Sequence, residues 1–277
     1  GDEQPAVTII GNDNVFTIAG VLRVGGDVNY ATVQLSGTGN TFINDGVLVG
    51  RTALLGSDGA DIFVNREERL GVLQMGAGND IVREEGVVLA TSEGVSGVNL
   101  GAGDDIYVIV SGQAQFLRPS VDGEHLPASV VAFGGEGEDT FILEVEGESL
   151  IGALELEGFE TLRLNTTEVM PSLSLTGLSD FDTIILEDAF ELRLSEFSNA
   201  GVALDLNGSF ITLTENSAIG AVSGGDANER IDLIGEARAD SISLGAGDDQ
   251  LVLDGGTVAD TIDGGAGFDT LVASLPA

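Results

Sequence analysis

Short runs in which apolar and polar residues alternate recur along the whole chain. Examples are DIYVIV from Asp105, ALELEG from Ala153, DSISLG from Asp240 and DQLVLD from Asp249. A period of two residues predicts β-strands with one face in a core, and the clusters of Gly, Asn and Asp between the runs predict turns. Long helical periodicity is absent. The pattern therefore predicts an all-β protein of many short strands, built as a sandwich, a barrel or a solenoid.

Internal repeats favour the solenoid. One repeat has Asn or Asp followed six residues later by Gly, as in the pairs Asn14/Gly20, Asn40/Gly46 and Asp80/Gly86. A second reads L-x-L-x-G, starting at Leu154, Leu173 and Leu204, with a weaker copy without Gly at Leu192. Spacings of 19 to 25 residues match one coil of two or three short strands with their turns. We therefore predict a parallel β-solenoid, of the β-helix or β-roll kind, with an internal stack of Phe and aliphatic side chains: Phe16, Phe42, Phe63, Phe141, Phe159 and Phe181.

A third repeat combines glycines with an aspartate and follows G-G-x-G-x-D-x-U-x, where U is a large apolar residue. Its aspartates are Asp61, Asp80, Asp105, Asp139, Asp240, Asp249, Asp260 and Asp269. The U residues are predicted to point inward, and they are Phe63, Val82, Tyr107, Phe141, Leu251, Ile262 and Leu271. Two degenerate copies, SGTGNTFIN and GDANERIDL, align with Thr41 and Arg230 at the Asp position, which would remove two ligands.

The glycine–aspartate turns are candidate calcium sites. Glycine allows a tight bend and a close approach of backbone carbonyl groups, and oxygen-only ligands suit Ca²⁺. Zinc is poorly supplied, since the chain has one His and no Cys. We expect calcium in the turns along one edge of the solenoid in the N-terminal half and along two edges at the C-terminus. There Asp240 would pair with Asp260 and Asp249 with Asp269. Secondary candidates within the same turns are Asp58, Asp104 and Asp248.

A metal-free interpretation competes with this one, because an Asp in a turn can also accept hydrogen bonds from nearby backbone amides. If the ions are bound, they neutralise stacked carboxylates and so contribute to folding. The sequence leaves both interpretations open.

The glycine–aspartate repeats resemble those of the RTX family, the haemolysin-type calcium-binding repeat proteins. The resemblance is strongest over 235–272 and is present at 56–64, 75–83, 100–108 and 134–142. It implies a parallel β-roll with Ca²⁺ in the turns, in a secreted bacterial protein. The TFINDGVLVG and LEGFETLRL segments are similar to passenger regions of bacterial autotransporters.

We expect one solenoid domain over 1–277. Regular coils would occupy 1–109, a loop or widened coil 110–132, L-x-L-x-G coils 133–222 and RTX-type nonapeptide coils 223–277. Residues 110–132 contain two prolines and His125, which we expect to be exposed and inert.

The composition limits the classes of partner that the chain is expected to bind. The formal net charge of −36 opposes binding to nucleic acid or to an anionic membrane. No apolar run reaches the 18 residues of a membrane helix, so we expect no membrane insertion by this segment. The chain opens without a signal peptide, and we interpret it as a mature or excised piece of a larger protein.

The residues predict no enzyme. A Ser-His-Asp triad would have to use His125, and no nucleophile elbow surrounds any Ser; a P-loop is excluded because the chain has no Lys. The sequence instead predicts an extracellular passenger or stalk of a bacterial surface protein, for presentation or adhesion to a host or cell-surface glycan or protein. The alternative is the repeat region of a secreted polysaccharide lyase or hydrolase, with Arg66 and Arg83 as candidate bases; for these two arginines we favour an Arg–Glu ladder on a solvated face.

Overall fold

Strands form at the alternating runs within the part of the chain that the structure describes, and glycine-rich turns connect them. The computed structural model describes residues 5–23, 31–90, 97–119, 125–145, 154–166, 181–187, 191–195, 198–199, 201–214 and 216–274. Within these residues the secondary structure is β-strand without helix, and the strands pair in parallel, apart from one antiparallel pair. The prediction of an all-β parallel solenoid is confirmed.

The described residues fall into two compact units, 1–159 and 160–277. The strands of the first unit are β1 Val7–Ile10, β2 Val15–Ile18, β3 Val21–Arg23, β4 Ala31–Ser36, β5 Thr41–Asn44, β6 Val47–Leu55, β7 Ile62–Asn65, β8 Glu68–Ala77, β9 Ile81–Glu84, β10 Val87–Leu89, β11 Val98–Ala102, β12 Ile106–Ser111, β13 Gln115–Pro119, β14 His125–Pro127, β15 Val130–Glu136, β16 Thr140–Val145 and β17 Leu154–Glu157.

The strands of the second unit are β18 Thr161–Thr166, β19 Thr183–Glu187, β20 Glu191–Ser195, β21 Ser198–Asn199, β22 Ala203–Asp205, β23 Phe210–Thr214, β24 Ala218–Ser223, β25 Arg230–Ile234, β26 Arg238–Ser243, β27 Gln250–Asp254, β28 Thr257–Asp263 and β29 Thr270–Ser274. The prediction of a single solenoid domain over 1–277 stays a prediction.

In the first unit the strands form two sheets of mostly parallel strands, whose inward side chains make the core. One runs β2-β5-β7-β9-β12-β16, and the other runs β1-β4-β6-β8, where β8 pairs with both β10 and β11. From there β10 continues to β13 and β11 continues to β15 and β17. The predicted irregular stretch 110–132 contains β13 and β14, the antiparallel pair. This excursion explains why the aspartates flanking it are 34 residues apart.

In the second unit the parallel sheets run β18-β19-β22-β24-β26-β28 and β20-β23-β25-β27-β29. Leu192 lies in β20 and Leu204 in β22, so these two L-x-L copies belong to different sheets rather than to one column. The copy at Leu173 lies outside the described residues.

The core of the first unit is a column of inward side chains in register. Phe16, Phe42 and Phe63 stack with ring centroids 5.6 and 6.0 Å apart, as the repeats predicted. The same column continues through Val82, Tyr107 and Phe141, all fully buried. In the second unit, Leu251 is buried as predicted, whereas Ile262 and Leu271 on the last two strands are 45% and 57% exposed. Both residues hold the inward register, opposite the buried Ile242 and Leu251, and they are exposed because no further coil covers them among the described residues.

The part of the chain that the structure describes contains no helix with the length and hydropathy needed to cross a membrane.

Candidate functional site: stacked carboxylates in the glycine turns

The aspartates of the N-terminal repeats stand in one buried ladder, directly before the strands of the β2-β5-β7-β9-β12-β16 sheet. In each coil the backbone N–H of the ladder residue donates to the side-chain oxygen of the ladder residue in the next coil. The donor–acceptor distances are 3.2 Å for Asn14 to Asn40, 3.0 Å for Asn40 to Asp61, 2.7 Å for Asp61 to Asp80, 2.7 Å for Asp80 to Asp105 and 2.8 Å for Asp105 to Asp139. We call these six residues the N-terminal ladder.

The ladder corrects the alignment of one degenerate repeat. Because Thr41 pairs with Ile62, the residue opposite Asp61 is Asn40 and not Thr41. The assignment of Thr41 to the Asp position is therefore wrong. The coil keeps a side-chain oxygen in the ladder but loses a charge.

One oxygen of each ladder carboxylate accepts the inter-coil hydrogen bond. The coils differ in whether the second oxygen has a hydrogen-bond partner. Oδ2 of Asp80 and Oδ2 of Asp105 have no hydrogen-bond partner, and both side chains are buried. Burial raises the pKa of Asp80 from 3.8 to about 8, against the hydrogen bond from Asp61, and the neighbouring Asp105 and Asp61 carboxylates raise it further. Burial likewise raises the pKa of Asp105. An uncompensated negative charge in this column is costly.

A second row of polar side chains lies one residue earlier and is exposed. Here the hydrogen bonds run the other way along the coils, so that the N–H of the later coil donates to the earlier side chain. Asp104 N–H donates to Asn79 Oδ1 and Glu138 N–H donates to Asp104 Oδ1, both over 3.1 Å. The secondary candidate Asp104 thus already serves as an acceptor for its neighbour. Asp58, the other secondary candidate in this unit, is exposed and outside both rows.

The second unit repeats the arrangement before the strands of the β20-β23-β25-β27-β29 sheet. Glu229 N–H donates to Asp249 Oδ1 over 2.8 Å, and Asp249 N–H donates to Asp269 Oδ1 over 3.2 Å. We call Glu229, Asp249 and Asp269 the C-terminal ladder. Glu229 Oε2 and Asp249 Oδ2 are buried without a hydrogen-bond partner, whereas Asp269, directly before the last strand, is exposed. The predicted stacking of Asp249 on Asp269 is observed.

The exposed row is present in this unit too. Asp248 N–H donates to Asn228 Oδ1 over 2.8 Å, and Phe268 N–H donates to Asp248 Oδ1 over 2.9 Å. The secondary candidate Asp248 therefore holds the same position here as Asp104 does in the first unit.

Glu229 is a ladder residue that sequence alignment missed. Because Arg230 pairs with Gln250, the residue opposite Asp249 is Glu229, so the assignment of Arg230 to the Asp position is wrong. Glu229 Oε1 also accepts hydrogen bonds from Gly208 N–H over 2.8 Å and Gly225 N–H over 3.1 Å. Burial raises its pKa, and the neighbouring Asp249 raises it further. Placing the acid directly before the strand, at the position of Asp249, would have found it.

Asp240 and Asp260 stand apart from the ladders. Both side chains are exposed and both lie inside strands, β26 and β28, rather than in a turn. A register shift between Ala239 and Ser241 puts Ala259 and Asp260 opposite Asp240. The pair therefore forms part of an exposed strand surface, without the buried turn position that Asp61, Asp80, Asp105, Asp139 and Asp249 share.

Glycine makes the turns beside the ladders possible. In the coils of Asp80 and Asp105 two glycines two residues apart have positive φ: Gly76 at 109° and Gly78 at 107°, then Gly101 at 112° and Gly103 at 140°. A Cβ on Gly101 would overlap the carbonyl oxygen of Gly76, and a Cβ on Gly103 would overlap that of Gly78. The turns thus stack so closely that a backbone carbonyl oxygen of one coil lies against the glycine of the next.

This donor set fits a hard cation in part. Each of these turns offers one buried carboxylate oxygen without a partner together with backbone carbonyl oxygens, which are ligands of the kind Ca²⁺ takes. Across the described ranges, however, no three or more His, Cys, Asp and Glu side chains group as a metal site would require. A cation here would have to draw most of its ligands from the backbone.

The two arginines considered as bases take part in surface ion pairs. Arg83 makes a bidentate contact with Glu144 over 3.0 and 2.7 Å and also contacts Glu85 at 2.6 Å. Arg66 lies within 3.6 Å of Asp45 and 3.5 Å of Glu85. This is the geometry of the Arg–Glu ladder considered above. The side chain of His125 lies outside the described residues.

An ion pair that the sequence did not predict lies inside the first unit. Arg69 and Glu84 are completely buried; Arg69 Nε donates to Glu84 Oε1 over 2.7 Å, and Nη1 donates to the Gly71 carbonyl oxygen over 2.7 Å. Burial raises the pKa of the nearby Tyr107 hydroxyl, and the Glu84 carboxylate adds to the effect. Arg69 and Glu84 sit at inward positions of β8 and β9, which the alternation of their strands would have indicated.

Together the coils and the ladders define a class: a parallel β-solenoid with acidic side chains stacked inside glycine turns. Comparisons with protein-family models, curated proteins and solved structures gave no match for this chain.

Proposed function

We propose that the chain is a calcium-binding β-solenoid that works outside the cell as a structural passenger or stalk of a bacterial surface or secreted protein. The observation that carries the proposal is the buried, unpartnered carboxylate oxygen that recurs from coil to coil, at Asp80 and Asp105 in the first unit and at Glu229 and Asp249 in the second. A divalent cation is the partner that would neutralise such a column without needing protons.

The residues that would hold the ions are six of the seven ladder carboxylates, Asp80, Asp105, Asp139, Glu229, Asp249 and Asp269, with glycine carbonyl oxygens of the same turns. The seventh, Asp61, differs because its Oδ2 accepts hydrogen bonds from Ser57. Bound calcium would supply charge neutralisation and a link between successive coils. Asp240 and Asp260 are exposed on strands and are weaker candidates, as are the exposed Asp58, Asp104 and Asp248.

We propose an extracellular location from the calcium affinity expected of such oxygen sites. Oxygen sites of this type in extracellular modules bind Ca²⁺ with dissociation constants of about 10⁻⁴–10⁻³ M, so they fill outside a cell and empty inside it. The net charge of −36 adds to the self-repulsion that the ions would relieve. We propose a non-enzymatic role in presentation or adhesion to a glycan or protein.

Calcium binding is tested by thermal unfolding followed by far-UV circular dichroism, in chelator and in a calcium series, with magnesium as the control ion. Each independent site should stabilise the fold by about 2.7 kcal/mol at a concentration 100 times its dissociation constant. Magnesium should give a smaller effect because it prefers near-ideal octahedral geometry. Equal unfolding temperatures in chelator and in millimolar calcium, with no calcium in metal analysis of the purified protein, would refute the proposal.

A further inference from the structure

Ser57 lies at a point where three oxygen atoms of two successive coils converge. Its hydroxyl oxygen is 2.7 Å from Asp61 Oδ2 and 3.2 Å from the Gly59 carbonyl oxygen, and it also contacts the Gly37 carbonyl oxygen of the preceding coil. Ser57 N–H donates to Asp61 Oδ2 over 3.1 Å. Both side chains are buried. In this coil, then, the second oxygen of the ladder carboxylate has partners.

Three acceptor oxygens surround the Ser57 hydroxyl, and one donor, the Gly59 N–H, lies 3.2 Å from its oxygen. A serine hydroxyl carries one proton, so it donates to one of the three oxygens and leaves the other two facing its lone pairs. Three converging oxygens, one of them a carboxylate, are the surroundings that a hard cation takes. The Ser57 oxygen fills this point in the coil of Asp61.

The neighbouring coils have glycine where this coil has serine. The pairing of the strands puts Gly76 opposite Ser57, and Gly101 and Gly135 follow in the same column. The atoms equivalent to the three oxygens in the next coil are the carbonyl oxygens of Asp58 and Gly78 together with Asp80 Oδ2. Gly76 has no side chain to place among them, and Asp80 Oδ2 is the buried oxygen without a partner.

We propose that the Ser57 hydroxyl replaces the cation in the coil of Asp61, so that the calcium column of the first unit begins at Asp80 and Asp61 binds no ion. This inference rests on the proposed calcium binding and assigns its N-terminal boundary. Among the described coils with an acid in the ladder, every other one has glycine four residues before that acid, at Gly76, Gly101, Gly135, Gly225, Gly245 and Gly265. Ser57 is thus the residue that decides whether its turn accepts an ion.

The proposal is tested by adding a site rather than only by removing one. Ser57 is not among the residues with positive φ, so Ser57→Gly keeps an allowed backbone and empties the point that the hydroxyl occupies. The reverse change at Gly76 is unsuitable, because its φ is 109° and a Cβ would overlap the Ser57 carbonyl oxygen. Asp61→Asn, Asp80→Asn and the surface variant Asp45→Asn complete the set.

Calcium bound per chain is measured by equilibrium dialysis and metal analysis, with circular dichroism to verify that each variant is folded. We expect Ser57→Gly to bind one ion more than the wild type, Asp61→Asn and Asp45→Asn to bind the same number, and Asp80→Asn to bind fewer. If Asp80→Asn does not fold, Ser57→Gly and Asp61→Asn decide the matter. A wild type that binds calcium, with loss of an ion in Asp61→Asn or no gain in Ser57→Gly, overturns this inference alone. A wild type that binds no calcium refutes the proposed function, and this inference with it.

Discussion

The backbone N–H of Asp61 donates a hydrogen bond to Oδ1 of Asp80, one coil further along the chain, over 2.7 Å. The same relationship joins Asp80 to Asp105 and Asp105 to Asp139, although the sequence separations are 19, 25 and 34 residues. The ladder position therefore tolerates insertions elsewhere in a coil, because only the turn and the strand after it have to stay in register. This accounts for aspartates that recur at coil spacing in a chain that is already strongly acidic.

The ladder predicts an unusual pH dependence in the absence of metal. The folded-state pKa of Asp80 is about 8, above its ordinary value of 3.8, so the native state binds more protons than the unfolded state between these two pH values. The contribution of Asp80 to stability is complete below about pH 4 and is lost as the pH rises towards 8. We expect the free energy of unfolding in chelator to fall by up to about 1.4 kcal/mol per pH unit for this one carboxyl.

Urea unfolding between pH 5 and 8, in chelator and in calcium, measures this slope. Asp80→Asn is the matched variant, since Asn40 already occupies a ladder position, and it should flatten the slope. Saturating calcium should flatten it too, because bound ions compete with protons. A chelated wild type that becomes more stable from pH 5 to pH 8 would contradict the prediction.

The coil and the ladder differ in how well the sequence predicts them. Periodic runs, repeat spacing and Gly–Asp turns were enough to predict the parallel solenoid and the Phe16–Phe42–Phe63 stack, since each is a local pattern repeated in register. The sequence also grouped Asp61, Asp80, Asp105 and Asp139, and these four do lie in one ladder.

Register errors explain what the sequence did not predict. In GDANERIDL, matching Arg230 to the repeat aspartate puts the alignment one residue out of register. A shift of one residue moves a side chain to the other face of the strand. Glu229 was missed for this reason. Asp240 and Asp260 lie at exposed positions inside β26 and β28, and the spacing of the repeat does not distinguish a strand position from a turn position.

A side chain on a turn glycine should disrupt the stacking of coils. Gly103 has a φ of 140°, and a Cβ there would overlap the carbonyl oxygen of Gly78 in the preceding coil. We expect Gly103→Ala to destabilise the first unit by at least about 1 kcal/mol, since both the backbone conformation and the space are unsuitable. Gly20→Ala is the matched control, because nothing lies within 4 Å of its Cβ position. Chemical unfolding of the two variants compares them, and an equal loss would argue against tight stacking at Gly103.

The Arg69–Glu84 pair predicts a large asymmetry between single and double substitutions. Both side chains are completely buried, so Glu84→Gln leaves the Arg69 guanidinium without its counter-charge. We expect a loss of about 3–5 kcal/mol in the free energy of unfolding for Glu84→Gln or Arg69→Met. The double variant, Arg69→Met with Glu84→Gln, should be less destabilised than the sum of the two. Arg66→Ala, whose side chain is 48% exposed, should cost no more than about 1 kcal/mol. Additive effects of the two buried changes would show that the residues do not act as a pair.

Substitutions at Glu229 and Arg230 test which of the two residues holds the ladder position in the second unit. Glu229 Oε1 accepts hydrogen bonds from the half-buried N–H groups of Gly208 and Gly225, so Glu229→Ala leaves these two donors without their acceptor. We expect this variant to lose about 1–3 kcal/mol in chelator, since unsatisfied buried groups carry a cost of that size. Arg230 pairs with Asp232 at 3.0 Å on the surface, where its side chain is 47% exposed, and Arg230→Ala should therefore cost less. Hydrogen exchange of the amides at Gly208 and Gly225 should quicken in Glu229→Ala alone. Faster exchange in Arg230→Ala with no change in Glu229→Ala would restore the alignment that the repeat pattern first indicated.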